Sequence, residues 1–237
     1  MIDPLNIKVI GAGGIGLWLL TPLCTHLNFL DCKSIIVTVI DGDSYEEGNR
    51  SRQLFSRVGN KAEVAVDDLT PKFEKVYFSH RAKYLTPKNV IAWINEGDIV
   101  LSCVDNHATR KLLSDHCCNL RNVTLISGGN GFTDGNVQIH IRKNGIDQRL
   151  PVANAKYHPE IVTPTDNNPG IVVSEVRDGC QVLAPSAPQL VVTNFAIAST
   201  MLNCFYGFVH GTIDYDEVFA DVVMNKVRPV NRTNPER

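Results

Sequence analysis

Ile7-Lys8-Val9-Ile10-Gly11-Ala12-Gly13-Gly14-Ile15-Gly16, followed by Leu17-Trp18-Leu19-Leu20, is the stretch on which the reading of this chain turns. A short apolar run meets a glycine cluster, and a helix-compatible segment begins at once. Strand, glycine turn and helix in that order make a phosphate-binding device, because a helix N-terminus presents unpaired N–H groups and a partial positive charge. Gly11 allows the tight turn, Gly13 a close backbone approach to the ligand, and Gly16 close packing of helix on strand, with Gly14 in the same loop. The motif alone does not name the nucleotide. A glycine turn without a ligand is the plainer alternative.

The chain has 237 residues, enough for one large α/β domain or a domain with a modest appendage. A hydrophobic fraction of 43% suits a globular protein, and no apolar run is expected to span a bilayer. A net charge of −2 leaves no electrostatic footprint for nucleic acid or for an anionic membrane. No charged-apolar-small pattern opens the chain, so a cytoplasmic protein is expected. The seven cysteines lack Cys-x-x-Cys spacing and read as reduced thiols. Cys117 and Cys118 are adjacent, read as packing residues, and cannot form zinc-ribbon clips by themselves.

Downstream of the glycine loop, residues 34–40 (Ser-Ile-Ile-Val-Thr-Val-Ile) are almost wholly β-branched, as in a strand buried on both faces. That strand ends in Asp41-Gly42-Asp43, where an acidic residue commonly holds ribose hydroxyls. A polar stretch with two close arginines, Arg50 and Arg52, follows. Lys61 then opens a helical pattern over residues 62–69. Cations gathered just after a phosphate loop suit the negative charge of a triphosphate, although a solvated surface reads the same way. Further strands are expected at 75–80, 98–103 and 123–127, and helices at 87–95 and 108–120. Residues 128–131 (Gly-Gly-Asn-Gly) read as a turn, and 136–142 alternate as an antiparallel strand does. Asp105 sits at the carboxyl edge of a strand, where it could hold Mg²⁺ through oxygen contacts or cap the next helix. Residues 143–187 show little periodicity and contain Cys180. Residues 188–209 read as a long apolar helix, and 217–230 as one or two terminal strands. The expected class is α/β: a Rossmann-like, mostly parallel sheet with helices on both faces, extended by C-terminal antiparallel strands. One domain over 1–237 is expected, with its nucleotide-binding core at about 7–142, the long loop at 143–187 and the C-terminal helix and strands at 188–230.

Taken together, several spaced pieces resemble the ThiF/MoeB-type activating enzymes, the family that includes the adenylation domains of ubiquitin-activating enzymes. The pieces are the Gly11–Gly16 loop, Asp41-Gly42-Asp43, Asn49-Arg50-Ser51-Arg52-Gln53, Gly59 with Lys61, Asp105-Asn106 with Arg110, and Pro188-Gln189 through Asn194. The Asn-x-x-Arg-Gln segment is the most specific of them. The resemblance implies ATP- and Mg-dependent adenylation of the C-terminal carboxylate of a small ubiquitin-like or sulfur-carrier protein ending in glycine, with release of pyrophosphate. It implies that the glycine loop faces the phosphates, that Asp41 holds the ribose beside Asp43, and that Asn49, Arg52, Gln53 and Lys61 line the triphosphate. Asp105 is the implied Mg²⁺ ligand. Arg52, Lys61 and Asp105 then carry the chemistry, and Cys180 lies where relatives with a second step keep a nucleophile, here for a thioester or a persulfide. A homodimer is implied as well.

Three departures accompany the resemblance. Neither Cys-x-x-Cys pair is present, so no structural zinc is expected. Only six residues precede the first strand, too few for the helix whose arginine reaches a partner's ATP in many relatives. The gap between Arg52 and Lys61 is tighter than usual. Two alternatives stay open: an NAD-dependent oxidoreductase, against which the Asn49–Gln53 segment argues, and a catalytically inert nucleotide-binding scaffold partner of a heterodimer.

Overall fold

The computed structural model describes residues 4–50, 53–165 and 190–232. In chain order the elements are β1 (Leu5–Ile10), α1 (Gly14–Asn28), β2 (Ile35–Ile40), β3 (Ser44–Tyr45), β4 (Gly59–Asn60), α2 (Lys61–Leu69), β5 (Val76–Arg81), α3 (Val90–Trp93), β6 (Ile99–Ser102) and α4 (His107–Cys118). Then follow β7 (Val123–Asn130), β8 (Asp134–Lys143), β9 (Ile146–Arg149), α5 (Pro159–Val162), α6 (Val191–Val209), β10 (Glu217–Asp221) and β11 (Lys226–Val230).

The main sheet runs β11-β10-β8-β7-β6-β1-β2-β5, with β9 on the far end of β8. β7, β6, β1, β2 and β5 are parallel, and β8 to β11 are antiparallel. The chain moves outward from β1 through β2 to β5, then returns to the other side of β1 as β6. That reversal opens a crevice at the carboxyl ends of β1 and β6, the place where ligands collect in open α/β sheets. The expected fold class is the one observed.

Alternation along the strands sends side chains to two cores. Leu5, Ile7 and Val9 of β1 meet Leu19, Leu23 and Leu27 of α1 and Ile197, Met201 and Phe205 of α6 on one face. Ile10, Val100 and Leu125 meet Leu113 and Cys117 of α4, Val90 of α3 and Ile161 of α5 on the other. Cys117 is fully buried and its thiol is pushed up by that burial, as suits a packing residue.

Several sequence expectations change. Gly128, Gly129 and Asn130 are not a turn but the end of β7. A side chain at Gly128 would overlap Met201 of α6, and one at Gly129 would overlap the Arg110 guanidinium, so glycine there admits neighbours on both faces. The helix expected at 87–95 shrinks to Val90–Trp93, because the Asn89 amide bonds Thr86 N–H and Tyr84 C=O and holds a turn instead. Residues 143–165 are not featureless; β9 and α5 lie there. Contrary to expectation, among the described residues one helix, α6, is long and apolar enough by length and composition to cross a membrane, but half of that stretch is buried within the protein, as in a core helix.

Candidate active site

A cleft of about 340 Å³ opens at the carboxyl ends of β1, β2 and β6. Gly11, Gly13, Gly14, Asp41, Asp43, Gln53, Lys61 and Asp105 all line it. Each is brought there by a local device.

The glycine loop comes first. Gly11 has φ +89°, and a side chain on it would press on the Cys103 carbonyl oxygen at 3.0 Å. A side chain on Gly16 would overlap the Gly11 carbonyl oxygen, so Gly16 is structural and lies behind the cleft. One on Gly14 would overlap the buried Asn194 amide of α6. Gly13 faces open space apart from Gln53 Nε2, 3.7 Å from where a Cβ would stand. The Gln53 side chain is buried, and its Oε1 has no hydrogen-bond partner, which leaves an acceptor beside the loop.

Asp41 closes β2 over this loop. Its carboxylate accepts the Ala12 N–H at 2.6 Å and the Asp43 N–H at 2.8 Å. Burial raises its pKa from the ordinary carboxylate value, and the two N–H donors only partly oppose that. Lys61 arrives by a different route. The small β3–β4 ladder pairs Ser44 with Asn60 and Tyr45 with Gly59, which sets Lys61 against Asp43. The Asn60 side chain then caps α2, accepting from Ala62 N–H and Glu63 N–H, and donates to the carbonyls of Asp41 and Asp43 at 2.9 and 3.0 Å. Lys61 N–H donates to the Asp43 carbonyl at 2.9 Å, and its ammonium lies 3.2 Å from Asp43 Oδ2. The ladder is why a short Arg52–Lys61 gap still delivers the lysine to the cleft.

Across the cleft, Asp105 and Asn106 divide the two duties left open by the sequence. Asn106 caps α4, accepting from Thr109 N–H at 2.8 Å. Asp105 is exposed and lines the cleft, and the cap bond belongs to Asn106 and not to it. Arg110 is buried and ties this loop to β7, donating to Val104 C=O at 2.9 Å and Gly128 C=O at 2.8 Å. Cys103 at the floor has a thiol pushed up to about 12 by burial, which makes it a poor nucleophile.

Asn49 is half-buried in the short turn Glu47–Asn49 and does not line the cleft; its carbonyl accepts the Gln53 N–H at 3.0 Å. Arg52 and Cys180 lie outside the described residues. Sequence reading missed Lys83, Tyr84, Leu85 and Asn130, which also line the cleft. The rule that ligands gather at carboxyl edges would have found the first three, since they directly follow β5.

The ThiF family profile matches residues 2–229. The adenylyltransferase and sulfurtransferase MOCS3 of Drosophila ananassae is 33% identical over 144 residues, which cover 59% of this chain and 30% of that protein. MOCS3-1 of Zea mays is 32% identical over 142 residues, 57% of this chain and 28% of its own length. The chain thus spans about 30% of the length of these curated relatives. Among solved structures, E. coli MccB with ATP has a TM-score of 0.66 at 16% identity, over 98% of this chain and 65% of that one. The microcin C7 biosynthetic enzyme MccB with N-formylated MccA has a TM-score of 0.71 at 16% identity, over 96% and 64%. At such identities these structures speak for the fold alone. Matched over nearly its whole length, the chain belongs to the ThiF family.

Proposed function

We propose that this chain adenylates the C-terminal carboxylate of a small ubiquitin-fold carrier protein, using ATP and Mg²⁺ and releasing pyrophosphate. The observation that carries this reading is the meeting of Lys61, Asp105 and the Gly11–Gly14 loop on one cleft at the sheet's switch point. The names of the MOCS3 relatives and the MccB structure holding ATP agree with it.

In the reaction a carboxylate oxygen of the carrier attacks the α-phosphorus, and the bond from that phosphorus to the pyrophosphate oxygen breaks. An anion approaches a polyanion, so the site must supply positive charge and orientation; no general base is needed. The N-terminus of α1 faces the phosphates, the Gly11 and Ala12 N–H groups being already given to Ile40 C=O and the Asp41 carboxylate, and Asp41 serves the ribose. Lys61, joined by Arg52, balances charge on the leaving phosphates. Asp105 fits a Mg²⁺ ligand, since a single carboxylate together with substrate phosphates is the usual way proteins hold that ion, and Asn106 relieves it of capping. Bound there, the ion would neutralise charge on the triphosphate. In a second step, the Cys180 thiolate would attack the acyl carbon of the adenylate, forming a thioester and releasing AMP; if a persulfide-bearing protein first transferred its outer sulfur to that thiol, the resulting Cys180 persulfide would attack the same carbon, release AMP and form an acyl disulfide.

A homodimer goes with this reading. Val191, Val192, Phe195 and Tyr206 lie exposed along α6, with Trp18 of α1 edge-on to Phe195 at 5.7 Å, and a second copy would cover them.

The test is Mg-dependent ATP–pyrophosphate exchange in the presence of the cognate carrier. Asp105→Ala should abolish it, and unchanged exchange would remove Asp105 from the mechanism. Binding of ATP with no exchange under any carrier would instead favour the inert scaffold. For Cys180, a reductant-cleavable carrier adduct should form with ATP and vanish in Cys180→Ala.

A further inference from the structure

The cleft holds one arrangement that the proposed reaction does not require. Lys61 Nζ is 3.2 Å from Asp43 Oδ2, and the other oxygen of that carboxylate accepts the hydroxyl of Tyr84, on the segment after β5. The Tyr84 ring sits over Gly42, where any side chain would overlap ring atoms Cγ, Cδ1 and Cδ2. Asp43 is also held through its backbone. Its N–H donates to Asp41 Oδ1 at 2.8 Å, and its carbonyl accepts from Lys61 N–H and Asn60 Nδ2.

An anion fixed beside the cation meant for a triphosphate competes with the ligand, so its presence asks for a reason. A lysine ammonium has three N–H donors on a flexible four-carbon stem. One donor given to a fixed carboxylate stills the stem and leaves two for the cleft. Asp43 by itself could not do this, because its side chain is 49% exposed and free to turn, whereas that of Lys61 is 10% exposed. The Tyr84 hydroxyl removes that freedom.

We propose that Tyr84 is a positioning residue that, through Asp43, holds the Lys61 ammonium in place for the phosphates before nucleotide arrives. This rests on the ATP reading above and adds to it a residue drawn from beyond the family motif. The bond to Asp43, aided by burial, pushes the Tyr84 hydroxyl up to about 12, so it stays a donor at working pH. A phenylalanine there would keep the ring over Gly42 and lose only the donor.

Two measurements on the full chain test this. In ligand-free protein with ¹³C-methylated lysines, the Lys61 resonance, identified by its absence in Lys61→Arg, should stand apart from those of exposed lysines and move toward them in Tyr84→Phe. By calorimetry with Mg²⁺ and α,β-methylene-ATP, Tyr84→Phe should weaken binding about fivefold, yet change nothing in a Lys61→Ala or Asp43→Asn background. A purely structural role for the ring would spare the resonance and the single variant alike. An unmoved Lys61 resonance, or a loss that persists without Lys61, overturns the proposal alone. A wild-type protein that binds no analogue overturns the ATP reading and this proposal together.

Discussion

Asp105 and Asn106 are neighbours with separate duties, and the chain's local chemistry cannot tell which has which. Both residue types cap helices well, and only the backbone path decides whose oxygen meets the Thr109 N–H. The separation is measurable. Asn106→Ala should cost about 1 kcal/mol of stability in urea denaturation, the usual worth of a cap. Asp105→Ala should stay within about 0.5 kcal/mol of wild type, as for an exposed side chain without a cap, while removing exchange activity. A stability loss in Asp105→Ala equal to that of Asn106→Ala would contradict the assignment. The surface pairs of Arg57 with Glu63 and Asp67, at 2.8 and 2.6 Å, promise little by comparison, since all three side chains are solvated.

Among the elements, β4 and α2 do most to build the site. Asn60 joins them: one side chain caps α2 and fastens the loop that bears Asp41 and Asp43. Asn60→Ala should therefore lower stability by about 2 kcal/mol, the upper end for a lost cap, and weaken nucleotide binding as well. Loss of stability with unchanged binding would show that the loop holds itself. The β1–α1 junction is stricter. Gly16→Ala puts a methyl group on the Gly11 carbonyl oxygen, so a loss of at least about 1–3 kcal/mol, the range for overpacking, is expected from a thermal melt. These glycine roles could be read from the motif. The role of Asn60 could not, because its partners lie 17 and 19 residues away in sequence.

At the scale of the whole molecule, the C-terminal strands are fastened by a buried polar network. Glu217 of β10 accepts from Arg232 Nε and Nη2 at 3.1 and 3.0 Å and from Asn136 of β8 at 2.7 Å, and pairs with His158 at 3.1 Å. Burial would raise the carboxyl of Glu217, but the bond to His158 and the nearby Arg232 charge outweigh it and hold the pKa below the ordinary value. The sign follows: its stabilisation is complete above the unfolded pKa of about 4.3 and is lost as pH falls through the depressed folded value. Glu217→Gln leaves a buried guanidinium without its carboxylate and should cost about 3 kcal/mol at pH 7. The same variant should lose less stability than wild type on acidification below about pH 4. Parallel acid profiles for the two proteins would show that Glu217 does not titrate as described.

Short-range pattern by itself determined the strand–glycine–helix unit at residues 7–20, the parallel strands and the antiparallel extension, because periodicity and glycine chemistry act within one or two turns of chain. It also placed Asp41 and Asp105 at the carboxyl edge of the sheet, while Lys61 was singled out through the family resemblance. Tertiary structure decided the rest. The separation of 41 positions between Asp43 and Tyr84 closes only when β2 and β5 pair in register, and the ladder from Ser44 to Asn60 sets where Lys61 points. Gly128 and Gly129 looked like a turn until packing on both faces of β7 explained them. Each of these depends on chain segments meeting across the sheet, and the free energy that selects such meetings belongs to burial and register over the whole fold.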